Sequence, residues 1–167
     1  MDDVILETER LVFRPFTPDD FDLLLELHSD PQVQTYIGGM FGAPGVRQRL
    51  DHYLRDQEER GHSKWKAYLR DGTFVGRAGV SWDADLGERE LGYTFARAFW
   101  GQGLASEAAR GIVDWMWAHT DAPDLAAFAV IENRASRRVL EKVGMVFQCE
   151  RESHGDLCAF YRIARPG

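Results

Sequence analysis

The chemistry this chain could perform concentrates in Trp100-Gly101-Gln102-Gly103-Leu104-Ala105-Ser106, a segment placed where a strand pattern gives way to a helical one. A helix N-terminus leaves about four backbone N–H groups without an intrahelical partner, and the helix dipole favours negative charge there. Glycines remove the side chains that would hold a phosphate away from those amides. Gly101 and Gly103 therefore stand where a diphosphate could be received, and Ser106 in the first turn adds a hydroxyl. A purely structural strand-to-helix turn explains the same residues.

Three phosphate-binding patterns use such a turn. A Walker-type loop needs Gly-Lys-[Ser/Thr], and no lysine lies here. A dinucleotide site needs a third glycine where Ser106 stands, and it usually opens a series of βαβ units, whereas this segment follows several other elements. An acyl-CoA loop reads [Gln/Arg]-x-x-Gly-x-[Gly/Ala]; Gly103 and Ala105 fit it, with Trp100 replacing the polar first residue.

The elements that must position this segment can be read from periodicity. Residues 9–16 partly alternate as an edge strand ending near Pro15. Thr17-Pro18-Asp19-Asp20 reads as a helix start, with Thr17 as cap and Pro18 at the first helical position. That helix should end before Pro31. Residues 32–44, with Gly38, Gly39, Gly42 and Pro44, read as a loop, and 46–60 as a helix with Leu50, Tyr53 and Leu54 on one side. Strands are expected over 64–70, 74–82 and 88–95, the first two joined by an Asp71-Gly72 hairpin. Leu104, Ala108, Ile112 and Met116 recur at helical spacing as far as His119. After Pro123, residues 126–131 form an apolar run expected as a strand covered on both faces. Residues 133–143 read as a helix capped by Asn133 and stopped by Gly144. A hairpin over 146–152 and 157–163 closes the chain. The resulting order, β-α-α-β-β-β-α-β-α-β-β, predicts an α/β mixed sheet with helices on both faces.

The 167 residues suit one domain spanning 1–167, with 44% hydrophobic and 28% charged residues. A net charge of −7 argues against a nucleic-acid partner. No apolar run long enough to span a bilayer is present, and the acidic Met1-Asp2-Asp3 start is unlike a secretory signal, so a cytoplasmic location is expected. The five histidines show no metal-ligand spacing, and no metal is assigned. Cys149 and Cys158 flank the final hairpin and are expected as a reduced, buried pair.

The chain resembles the GNAT superfamily of N-acetyltransferases, and within it the ribosomal-protein N-acetyltransferase-like branch. The residues that carry the likeness are Glu7-Thr8-Glu9-Arg10-Leu11-Val12-Phe13-Arg14, then Glu90-Leu91-Gly92-Tyr93 and Trp100 to Ala108, then Asn133-Arg134-Ala135-Ser136-Arg137-Arg138-Val139-Leu140-Glu141-Lys142-Val143-Gly144-Met145. The resemblance implies a central mixed sheet splayed beyond the strand that ends near Phe95, and acetyl-CoA as acyl donor. It places the pyrophosphate on the backbone of Gly101, Gln102, Gly103, Leu104, Ala105 and Ser106, the pantetheine between Phe95 and Asn133, and the adenosine phosphates near Arg97, Arg134, Arg137 and Arg138. Trp100 either shields the pyrophosphate or packs beneath the loop.

Acyl transfer to an amine needs a proton acceptor, a donor for the developing oxyanion and a proton for the leaving thiolate. The resemblance points to Glu90 as the base, acting through water; a solvated strand glutamate is the alternative. A backbone N–H near Phe95 would supply the oxyanion donor. The tyrosine many superfamily members carry is replaced here by Leu140. Ser136, three residues beyond Asn133, is the candidate acid, unless it merely bonds its own first turn. The acceptor is expected to be a small-molecule or peptide amine, its pocket lined by Tyr36 and Phe41. A monomer or homodimer away from membranes is expected. The alternative from another class is a catalytically silent acyl-CoA-binding or regulatory module, and a nucleotide-binding oxidoreductase stands third.

Overall fold

The computed structural model describes residues 3–37 and 42–167; Phe41 and the glycines at 38 and 39 lie outside them. Eight strands form one sheet: β1 (Leu6–Glu7), β2 (Leu11–Pro15), β3 (Lys64–Leu69), β4 (Phe74–Asp83), β5 (Glu88–Phe95), β6 (Asp124–Val130), β7 (Val146–Ser153) and β8 (Asp156–Ala164). The helices are α1 (Phe21–His28), α2 (Pro31–Gln34), α3 (Gly42–Arg60), α4 (Leu104–His119) and α5 (Arg134–Val143). Strand order is β1-β2-β3-β4-β5-β6-β8-β7. Among the described strand pairs, only β5–β6 is parallel.

The expected mixed α/β architecture is present, with differences at its edges. Leu6–Glu7 adds a short strand paired antiparallel to β2. Pro31–Gln34 is a helical turn inside the segment read as loop, because the Asp30 side chain accepts the Gln32 N–H. The strand after Pro123 begins at Asp124, two residues earlier than the apolar run suggested, since β8 pairs with it along its whole length. The cysteines are not a buried pair: Cys149 is exposed and Cys158 is buried. The β7–β8 register sets Cys149 opposite Phe160 and Cys158 opposite Arg151.

Local chemistry accounts for the element ends. Asp71-Gly72 closes the β3–β4 hairpin, with Gly72 at φ +92° and the Asp71 carboxylate accepting the Thr73 N–H. At the far end of α5, Gly144 adopts φ +100° and the Met145 N–H returns to the Leu140 carbonyl at 3.0 Å.

The two faces of the sheet carry different cores. Leu104, Ala108, Ile112 and Met116 of α4, with Leu140 of α5, pack on Ala78, Val80 and Leu91. A second cluster gathers Leu24, Leu27, Val33, Val46, Leu50 and Tyr53 from α1, α2 and α3. Strand alternation therefore turns Arg77, Ser81, Glu90 and Thr94 toward the second side. An added Cβ on Gly92 would meet Lys64 Cε at 2.8 Å and the Glu90 carboxylate at 3.0 Å, which places those groups on one face. Among the described residues, no helix is long and apolar enough to cross a membrane.

His28 closes α1 against this polar face. Its Nδ1–H donates to Gln34 Oε1 at 2.8 Å, and its Nε2 accepts from Arg77 Nε at 3.3 Å. Burial first, and the Arg77 charge second, lower its pKa from 6.5 to about 3. Burial also lowers His62. A base whose folded pKa is depressed stabilises the fold fully above its unfolded value. For His28 that contribution is lost progressively as the pH falls through 6.5 toward about 3. Denaturant unfolding should show stability falling by about 1 kcal/mol per pH unit below pH ~6. Imidazole ¹⁵N shifts should report a neutral His28 at pH ~5; an imidazolium signal there would contradict the assignment.

Candidate active site

The glycine segment is held open by its own backbone and clamped from outside. A short 3₁₀ turn, Arg97–Phe99, follows β5, and Trp100 returns its indole N–H to the Phe95 carbonyl at 2.8 Å. That bond explains why Trp100 serves where a polar residue is usual: its ring stays half exposed while its N–H ties the turn to the strand end. Gly101 and Gly103 adopt φ of +75° and +81°, and Gly103 is the N-cap of α4. Both conformations are costly for residues with a Cβ. An added Cβ on Gly101 meets no protein atom within 4 Å, so the space beside it is open to a ligand.

The clamp comes from the start of the chain. Arg10 donates from Nη1 to the Gln102 carbonyl at 2.8 Å and from Nε to Glu107 at 2.8 Å. Glu107 also accepts the Thr8 hydroxyl at 2.6 Å and the Arg10 backbone N–H at 2.8 Å. Desolvation pushes the Glu107 carboxyl up, but the bonds from Thr8 and Arg10 and the Arg10 charge outweigh it and hold the group low. Thr8 and Arg10 thus share one physical role, fixing the loop through the first turn of α4.

Beside this turn the sheet opens. β5 and β6 share a single pairing, Glu90 with Ala126. On its other edge β5 pairs with β4 from Glu88 to Phe95, and the Ala96 N–H donates to the Val75 carbonyl at 2.8 Å. The alternation of an antiparallel ladder then directs the Tyr93 and Phe95 amides away from β4, into the gap. A cavity of about 1090 Å³ occupies that gap. Its walls include Phe95, Arg97, Trp100, Gly101, Gly103, Leu104, Ala105 and Ser106 from the glycine segment, and Asn133, Ser136, Arg138 and Lys142 from α5 and its cap. Tyr36, Arg49, Tyr53, Lys64, Arg77 and Glu90 line it on the α1–α3 side. This exceeds a drug-sized pocket and suits an extended cofactor with a second ligand. A diphosphate fits the open amides at Gly101 to Ser106, and a pantetheine-like arm fits the unpaired strand edge.

The candidate acid and base sit in defined surroundings. Asn133 Oδ1 accepts the Ser136 N–H at 3.2 Å, which caps α5. The Ser136 hydroxyl and carbonyl each lie 3.0 Å from the Tyr93 hydroxyl. Burial, partly offset by the Ser136 bond, raises the Tyr93 pKa far above its ordinary value, so the phenol keeps its proton at neutral pH. Glu90 is no solvated strand residue. It pairs with Lys64 Nζ at 2.6 Å, and that ammonium also donates to Ser81 Oγ at 2.7 Å and to the Glu90 carbonyl at 3.0 Å.

Arg97 and Arg138 line the cavity, whereas Arg134, Arg137 and the Gln102 side chain do not. Arg137 donates to the Tyr161 hydroxyl at 3.1 Å and the Ile131 carbonyl at 3.3 Å. Gln102 turns its amide to the Ala98 carbonyl. Sequence reasoning missed Lys64, Tyr93 and Arg77. Tyr93 carried a readable signal, since a buried tyrosine needs a hydroxyl partner. Lys64 and Arg77 carried none, because only strand pairing brings them to the cavity.

Residues 10–146 match the model of a family described as "Acetyltransferase (GNAT) domain". An uncharacterized protein of Bacillus subtilis (strain 168), YkkB, is 35% identical over 144 residues, covering 84% of each chain. The crystal structure of an acetyltransferase from Agrobacterium tumefaciens str. C58 superposes with a TM-score of 0.82 at 29% identity, over 93% of this chain and 92% of that one. RimL, a ribosomal L7/L12 alpha-N-protein acetyltransferase solved in complex with coenzyme A, shares the fold at a TM-score of 0.80 and 14% identity, over 97% and 98% of the two chains.

Replacing Glu107 by Ala removes the hub of the clamp and leaves Thr8 and Arg10 without their shared acceptor. Denaturant unfolding should register a loss of about 1–2 kcal/mol. Hydrogen exchange should quicken at the Gly103 to Ala105 amides; unchanged exchange would show that the turn holds without the clamp.

Proposed function

Because the chain belongs to the GNAT family of acetyltransferases, we propose that it moves an acetyl group from acetyl-CoA directly to a primary amine, on a small molecule or a protein N-terminus. The observation that carries this reading is the gap between β5 and β6, which joins the glycine turn to the Glu90 side of the sheet. When bound, acetyl-CoA supplies an acetyl group activated as a thioester. The backbone from Gly101 to Ser106 would bind its pyrophosphate, and Arg97, Arg138 and Lys142 would face its remaining phosphates. Arg137 also donates to Tyr161 and so braces α5.

Within the gap the Phe95 N–H is oriented to hold the acetyl carbonyl oxygen. Glu90 accepts the amine's proton through a water molecule, with Lys64 fixing the carboxylate in place. Ser136 Oγ carries the proton for the leaving sulfur, and Tyr93, neutral and bonded to it, holds that hydroxyl in line. The whole chain acts as one domain in the cytoplasm, as a monomer or homodimer. The Lys64–Glu90 pair favours one further reading, an acyl-CoA-binding module without turnover, because Lys64 already occupies one oxygen of the carboxylate.

Thermal shift with acetyl-CoA, CoA, NAD and ATP tests the cofactor. Ligand at about 100 times its Kd stabilises the native state by about 2.7 kcal/mol. Both CoA species should raise the melting point, and Gly101→Trp should abolish the rise; a rise with NAD alone would sink the proposal. Free-thiol release with an amine panel then reads turnover. Ser136→Ala and Glu90→Gln should each lower kcat about 100-fold while CoA binding persists. No turnover with any amine, in protein that binds CoA, would favour the silent module.

A further inference from the structure

Arg77 stands in the middle of β4, only 5% exposed, on the face shared with α1 and α3. A guanidinium this deeply placed ordinarily meets a carboxylate, because an unpaired buried charge is costly. Among the described residues Arg77 meets none. Its Nε donates to His28 at 3.3 Å, and its Cζ lies 5.6 Å from the Tyr53 ring centroid. Arg77 forms part of the cavity wall, and among the described residues its one side-chain hydrogen bond is made by Nε. With Nε engaged by a neutral His28, the edge carrying Nη1 and Nη2 is left to receive a ligand.

The surrounding charges sharpen the point. Lys66, directly across from Arg77 on β3, pairs with Asp20 at 2.8 Å, and Lys64, two residues earlier on the same face, is saturated by Ser81 and Glu90. Glu90 attracts Arg77 electrostatically, but its carboxylate is bonded to Lys64 and forms no ion pair with Arg77. Asp83, the second carboxylate on this wall, caps the amides of Asp85 and Leu86 in its own turn. Arg49 of α3 also lines the cavity and adds positive potential at Arg77. The acceptor side is therefore cationic inside a protein of net charge −7. A polyamine would bring more positive charge to this wall.

Building on the acetyl-transfer reading above, we propose that Arg77 binds a carboxylate on the acceptor, so that the acceptor is an amino acid or short peptide carrying a free acid group. The planar fork of a guanidinium matches a carboxylate through two parallel hydrogen bonds, and His28 sets the direction of that fork.

The test compares a panel of L-amino acids and dipeptides with their C-terminal carboxamides, alongside spermidine and O-phosphoethanolamine. Two readouts are taken: acetylation kinetics with acetyl-CoA, and binding to the protein alone by calorimetry. The acids should bind and react with KM about 10–100-fold below that of their amides. Arg77→Met should bring that ratio close to one, and Arg77→Lys should keep part of it. Circular dichroism and the CoA thermal shift report whether each variant folds; if Arg77→Met does not, the wild-type acid-to-amide ratio decides. Equal or better use of the amides, of spermidine or of O-phosphoethanolamine would overturn the carboxylate assignment, as would acids that neither bind nor react. Acids that bind over their amides without any acetylation would uphold the Arg77 site and overturn the transferase reading instead.

Discussion

Two neighbouring parallel strands that share a single pairing leave backbone groups which something else must satisfy. In this protein β5 is fully paired on its β4 edge and almost unpaired on its β6 edge, while β6 is fully paired to β8. Unpaired amides inside a fold are costly, so the gap between the strands is structurally justified only if it is wet or filled by a ligand. The cavity, the orientation of the Phe95 amide and the placement of Ser136 opposite Tyr93 all follow from that one divergence. Tyr93 bridges it, reaching from β5 to α5 with its hydroxyl on the Ser136 backbone and side chain.

The glycine turn depends on the same geometry and on a second restraint. Positive φ at Gly101 and Gly103 gives the backbone its open shape, but glycines alone also give it freedom. The chain removes that freedom from two sides. Trp100 pins the turn to the end of β5, and Arg10 pins the Gln102 carbonyl to the first turn of α4 through Glu107. Gly111 allows the close approach that this requires, since a Cβ there would fall 2.7 Å from the Thr8 methyl. The site is therefore preorganised by contacts between residues nearly a hundred positions apart.

Overall charge does not set the local charge of the cavity wall on the α1–α3 side. An acidic surface steers cations in solution, but recognition is decided by the groups that face the ligand at low dielectric. There, Glu90 is ion-paired with Lys64, and the side-chain hydrogen bond of Arg77 goes to a neutral histidine.

Much of the architecture was legible without coordinates. Hydrophobic periodicity located the principal helices and strands, because period and burial are local properties of a chain. The glycine turn was legible because dihedral preference is also local, and the caps at Asn133 and Gly144 for the same reason. Boundaries set by pairing were not: β1 exists through β2, and β6 starts early through β8. The reach of the site was even less readable. Whether a strand charge faces solvent, a partner or a cavity depends on register and on which helix covers the face. Glu90 reads alike in sequence whether solvated or ion-paired, and Arg77 reads like any strand arginine. Motif and periodicity thus determined where a glycine turn opens onto a helix N-terminus, since a single turn carries that information. Only the tertiary structure decided the companions of Glu90, Ser136 and Arg77, because long-range packing sets the distances between charges.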